Sequence, residues 1–200
     1  MKPTQHTVKT VTVEQYIRFK KLARKHDESD SPLKDIEMIS EYFDQDFSDM
    51  DSGIAESFFK EWIDGMINMQ PIIEAMEAGK TKPPESIKIG KTKFTVPTNI
   101  EDCKIGKYAD YSKYLNAWEG ETEGQYPIAM AIFCKKPKEM YSQIILNDRI
   151  ETMKKVNLIT AVKCCAFFFI QSDRYRRITS PWWSQREQKD TPTKATLSKV

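Results

Sequence analysis

Between Ile54 and Ile67 the apolar residues Ile54, Phe58, Phe59, Trp62, Ile63, Met66 and Ile67 recur at offsets of four, five, eight and nine. That spacing wraps a wide apolar face onto a helix of 3.6 residues per turn. A helix carrying so much aromatic surface must bury it against other helices, and the chain supplies them.

TVEQ at Thr12 to Gln15 has the form of a capping box, in which the Thr hydroxyl and the Gln amide satisfy N–H groups at a helix start. Val13, Tyr16, Ile17, Phe19, Leu22 and Ala23 then follow at helical spacing. HDESDSP stops that helix, and Ser31-Pro32 is expected to start the next, with Ser as N-cap and a stripe of Leu33, Ile36, Ile39 and Phe43. Pro71 bends or restarts the helix after Ile67, Gly79 suits its end, and KTKPPES reads as a linker.

A single stretch changes period. In SIKIGKTKFTVP (Ser86 to Pro97), Ile87, Ile89, Phe94 and Val96 alternate with polar residues around Gly90-Lys91, which predicts a β-hairpin. Lys88, Lys91 and Lys93 should line its exposed face, as edge protection or toward an acidic partner. Beyond it, Ile105, Tyr108, Tyr111, Leu115 and Trp118 form a helical stripe. GETEG breaks this stripe, and PIAMAIFC (Pro127 to Cys134) reads as a short apolar helix. Asn147-Asp148 is expected to cap a last long helix running to about Ile170, ~34 Å in length and the central strut of the fold.

The chain therefore reads as mainly α with a small β-hairpin. A helical domain spans 1–170 with the hairpin at 86–97, and a basic aromatic arm spans 171–200. An echo at an offset of 92 sets Val13 on Ile105, Tyr16 on Tyr108 and Phe19 on Tyr111, so two related helical hairpins could flank the β element.

Several chemistries lack their residues. Neither glycine motif for nucleotide phosphates is present. DQDFSDMDSG resembles a calcium loop, but counted from Asp44 the sixth position is Asp49 and the twelfth is Ala55, where such a loop needs Gly and Glu. His6 and His26 are not spaced as ligands, and Cys103, Cys134, Cys164 and Cys165 form no CxxC pair. The cysteines are expected to be reduced core residues. MKPTQHTVKTV has no apolar core of a signal peptide, and the apolar run Ile159 to Ile170 is shorter than the ~20 residues a bilayer span needs. No catalytic residue, cofactor or metal ligand is assigned.

Charge is uneven. From Gln171 onward there are seven Lys/Arg and three Asp/Glu, a net +4 on a chain whose total is +2. A basic arm on a mildly acidic body suits contact with an acidic surface. Arg174, Arg176, Arg177, Trp182 and Trp183 interleave guanidinium and indole, the side chains most enriched as interface anchors. Tyr175 among them also fits stacking on nucleic-acid bases.

The order of these pieces resembles proteins of tailed-bacteriophage structural modules: the TVEQY helix, a Ser-Pro-started second helix, the IKIGKTKFTV strand pair, and a KY helix followed by a small apolar one. The resemblance covers about Val11 to Ile170. It implies a head–tail connector or neck component, located in the virion and in the host cytoplasm during assembly, with a homo-oligomeric ring and other virion proteins as partners. A tail assembly chaperone and a packaged nucleic-acid-binding protein are the alternatives.

Overall fold

The structure is a computed structural model and describes residues 6–31, 33–77, 83–97, 105–116, 122–140 and 142–168. It is mainly helical with one small antiparallel hairpin, as the two periodicities predict.

Helix α1 (Val13–Asp27) starts with the capping box. Thr12 Oγ1 accepts from Gln15 N at 3.2 Å, and Gln15 Oε1 accepts from Thr12 N at 2.9 Å. Its buried face carries Val13, Tyr16, Phe19 and Leu22. Helix α2 (Lys34–Phe43) begins later than expected, and its N-cap is Leu33, with no side-chain cap. Ser31 sits one turn back: its hydroxyl accepts from Leu33 N and donates to Glu37, and its carbonyl accepts from Lys34 N. Ser31 thus shapes the turn before α2 and leaves the capping position to Leu33. Pro32 lies outside the described residues.

Helix α3 (Ser52–Ile67) is capped by Asp51, whose Oδ1 accepts from Gly53 N and Ile54 N. Asn68 then turns the chain, its Oδ1 accepting from Gln70 N, and α4 (Gln70–Glu77) follows with Pro71 in its first turn. Pro71 therefore restarts the helix, where its missing N–H costs nothing. Gly79 lies outside the described residues. Gly65 lets the N-terminal strap lie on α3: Val8 N donates to its carbonyl, and a Cβ there would meet the Thr7 methyl at 3.0 Å.

Strands β1 (Ser86–Ile89) and β2 (Thr92–Thr95) pair in register Ser86–Thr95, Ile87–Phe94, Lys88–Lys93 and Ile89–Thr92. Gly90 turns between them at φ +56°, a left-handed conformation that favours glycine. Ile87, Phe94 and Val96 face inward.

Helix α5 (Ile105–Asn116) leads to α6 (Thr122–Phe133), which starts five residues before Pro127 and so takes in much of GETEG. Pro127, expected at the helix start, is the sixth of its twelve residues. Trp118 and the side chains of the echoed positions 105 and 108 lie outside what is described, as does Cys103.

The expected long strut is absent. Helix α7 (Leu146–Met153) begins at N-cap Ile145 without a side-chain cap, so Asn147 and Asp148 are exposed inside it. The chain breaks at 154–157 before α8 (158–168). Backbone bonds to the N-terminal strap compete with the helix there. The Lys154 and Val156 carbonyls accept from Glu14 N and Val13 N, and Leu158 N donates to the Val11 carbonyl. Asn157 Oδ1 then caps α8 through Ile159 N and Thr160 N.

The central element is α6. Ala129 to Phe133 and then Cys134 are fully buried, with neighbours on α1, α5 and α7. A helix apolar all round is a core helix, and PIAMAIFC has that composition.

Candidate interaction surfaces

Two surfaces stand out, one a groove and one a charged face. The groove lies between α2 and α3 and encloses about 630 Å³, within the ~300–1,000 Å³ of ligand-sized clefts. Its floor is apolar: Leu33, Ile36, Phe47, Met50, Phe59 and Ile63. Three carboxylates, Asp35, Glu56 and Asp64, stand along it, against one ammonium, Lys60. Leu33 is 55% exposed, and Ile54 and Ile67 on α3 are 52% and 54% exposed, so apolar surface continues beyond it.

Aromatic rings back the wall. Trp62 is fully buried, with the rings of Phe19, Tyr42 and Phe43 centred 4.9 to 5.6 Å away. Edge-to-face pairs of this kind add to simple burial. Trp62 Nε1 has no hydrogen-bond partner among the described residues. His6 Nδ1 lies 3.0 Å from the Tyr42 hydroxyl. Burial pushes that phenol up to about 12 and the His6 imidazole down, so both stay neutral near pH 7.

At the far end of α2, Glu41 accepts from Lys25 at 2.6 Å and lies 3.1 Å from His26 Nε2. The hydrogen bond from Lys25, then that from His26, holds its carboxyl below the usual range. These pairs are exposed and fasten α1 to α2 without forming a pocket.

The second surface is the outer face of the hairpin. Lys88, Lys91 and Lys93 are exposed as expected. The structure adds a third strand-like segment: Thr95 and Lys135 exchange backbone hydrogen bonds at 2.7 and 2.8 Å. Directly paired residues share a face, so Ser86, Thr95 and Lys135 form one row and Lys88 and Lys93 the next. Lys136 and Lys138 follow on an exposed loop, which then presents Met140 at 88% exposure, with Ile144 just beyond at 90%. Sequence reasoning missed Lys135 because the bridge joins segments forty residues apart. Only a lysine run after an apolar helix could have hinted at it.

Arg149 is buried beneath this region. It donates to the Cys134 carbonyl at 3.0 Å and pairs with Glu139 at 3.4 Å. Its chemistry is thereby committed to holding the loop.

The acidic stretch of 44–53 serves the backbone. Asp46 accepts from Ser48 N at 2.8 Å, which lowers its pKa, and Asp51 caps α3. Among the described residues no group of three His, Cys, Asp or Glu could hold a metal ion, and no helix is long and apolar enough to cross a membrane. Cys134, Cys164 and Cys165 are buried free thiols. The arm residues Arg174, Arg176, Arg177, Trp182 and Trp183 lie outside the described residues.

No family model, curated protein or solved structure matches the chain.

Proposed function

We propose that the protein is a non-enzymatic structural component of a tailed-bacteriophage particle, a head–tail neck or connector subunit. In this reading it assembles with copies of itself by seating the Trp182-Trp183 segment of one copy in the α2–α3 groove of the next. The observation that carries it is complementarity. The groove joins an apolar floor to a net acidic lining, and the arm joins two indoles to a net +4 charge. Desolvated aromatic anchors with cationic neighbours are the usual energetic centre of an interface.

Reach is sufficient. Trp182 lies fourteen positions after Phe168, a stretch that spans up to ~50 Å when extended. A domain of this size has a radius of gyration of ~16 Å. Adjacent residues of an extended segment point to opposite sides, so one groove takes one ring and the second is left for another surface. The reading takes a neighbouring copy as the owner of that groove. The phage setting rests on the resemblance of element order described above.

Sedimentation velocity tests the assembly step. The full chain should self-associate, and both Leu33→Asp and the pair Trp182→Ala/Trp183→Ala should return it to monomer with unchanged circular dichroism. A parent that stays monomeric at about 100 µM, or variants that still associate, would sink the reading. Mass spectrometry of purified particles separates a resident subunit from a tail assembly chaperone, which leaves before maturation.

A further inference from the structure

We infer that the outer face of the β-hairpin, extended by Lys135, binds the phosphate backbone of duplex nucleic acid without reading its sequence. Every side chain on the face carries a donor. Its first row is Ser86, Thr95 and Lys135, and its second is Lys88 and Lys93. Lys91 stands on the turn at one end, and Lys136 and Lys138 continue from Lys135. Hydroxyls and ammonium groups are the side chains that contact phosphate and sugar. No carboxylate interrupts either row, and among the described residues none of these six lysines forms an ion pair. The nearest acid along the loop, Glu139, is held by Arg149.

The placement of Lys88 directly opposite Lys93 is the second observation. Like charges facing each other across a strand pair destabilise it. Edge protection would need lysine on one strand; it does not call for an opposed pair, nor for a third lysine on the adjoining segment. A polyanion across the face relieves that repulsion, so the arrangement gains on binding what it costs in the free protein. Aromatic side chains are missing from both rows, which argues against stacking on single-stranded bases and for a duplex backbone. Met140 on the same loop and Ile144 in the short helical turn 143–145 make an anionic lipid surface the competing occupant.

The test uses the full chain and a mixed-sequence 20-base-pair duplex, a length of about two helical turns. Binding is measured by fluorescence anisotropy across a salt series. The parent should bind with a steep loss of affinity as salt rises. Lys88→Gln/Lys93→Gln should weaken binding at low salt by about tenfold or more and reduce the log–log salt slope by about two, near 0.9 for each lost phosphate contact. Its denaturation midpoint should equal or exceed the parent's, which excludes misfolding as the cause. The inference is overturned if the parent shows no saturable binding in low salt, or if the double variant keeps the parent's slope. It is also overturned if the slope falls only in Arg174→Gln/Arg176→Gln/Arg177→Gln, which would assign the contact to the arm. Binding to phosphatidylserine vesicles in preference to the duplex would overturn it in favour of a membrane surface.

Discussion

Thr12 and Asn157 face each other in an isolated antiparallel bridge that joins the start of α1 to the start of α8. Asn157 works in both directions. Its Nδ2 donates to the Lys9 carbonyl at 2.9 Å and to the Val11 carbonyl at 3.4 Å, while its Oδ1 caps α8. The N-terminal strap and the C-terminal helix therefore share one side chain, and the fold closes on itself there.

Asn157→Ala should cost about 2 kcal/mol, a lost cap plus a lost hydrogen bond. Asn157→Asp should cost less, because the carboxylate keeps the capping acceptor and loses only the amide donor. Urea denaturation of the two variants gives the comparison. Equal losses would mean that the cap on α8 contributes nothing.

Arg149 invites a second measurement. Removing one member of a fully buried ion pair costs roughly 3–5 kcal/mol, and Glu139 is 23% exposed, so water covers part of the loss. Arg149→Met should destabilise by about 2 kcal/mol. Adding Glu139→Gln to it should recover part of this, because no uncompensated carboxylate then remains. A double variant weaker than the single one would show that the pair does not act as a unit.

Stability should fall in alkali. Burial pushes the Cys164 thiol up to about 12 and holds the Cys165 thiol well above the ordinary value of 9.0. A raised folded value means that the contribution is complete below pH 9 and is lost as pH rises toward 12, since only the unfolded chain can ionise. Tyr42, also raised to about 12 by burial, acts in the same direction above pH 10. Denaturant midpoints should decline between pH 9 and pH 11, and Cys164→Ala/Cys165→Ala should flatten the decline. An unchanged slope in that variant would assign the alkaline loss elsewhere.

Local rules were legible where the partners are local. The Thr12 capping box and the Gly90 hairpin each rest on residues a few positions apart, and both formed as read. The long final helix failed because its interruption is set by Val11 and Val13, about 145 residues away, which take the backbone groups of 156–158. No periodicity within 146–170 records that competition. The α2–α3 groove was half legible. Ile36, Phe59 and Ile63 stood out as apolar stripes, but a stripe does not say how much of itself a neighbour covers. Leu33 looked like core and is more than half exposed.

The arm supplies the last prediction. If the Trp182-Trp183 segment docks on another copy, docking stabilises the folded state by mass action, and the melting temperature must depend on protein concentration. A chain lacking Pro181 to Val200 should then melt at one temperature at every concentration, equal to that of the full chain at high dilution. In the described core α6 packs against α1, α5 and α7. Differential scanning calorimetry over a hundredfold range of concentration measures this. A truncated chain that melts well below the dilute full chain would place the tryptophans in their own subunit's core. A full chain whose melting ignores concentration would leave the groove without the arm of a neighbour as its occupant.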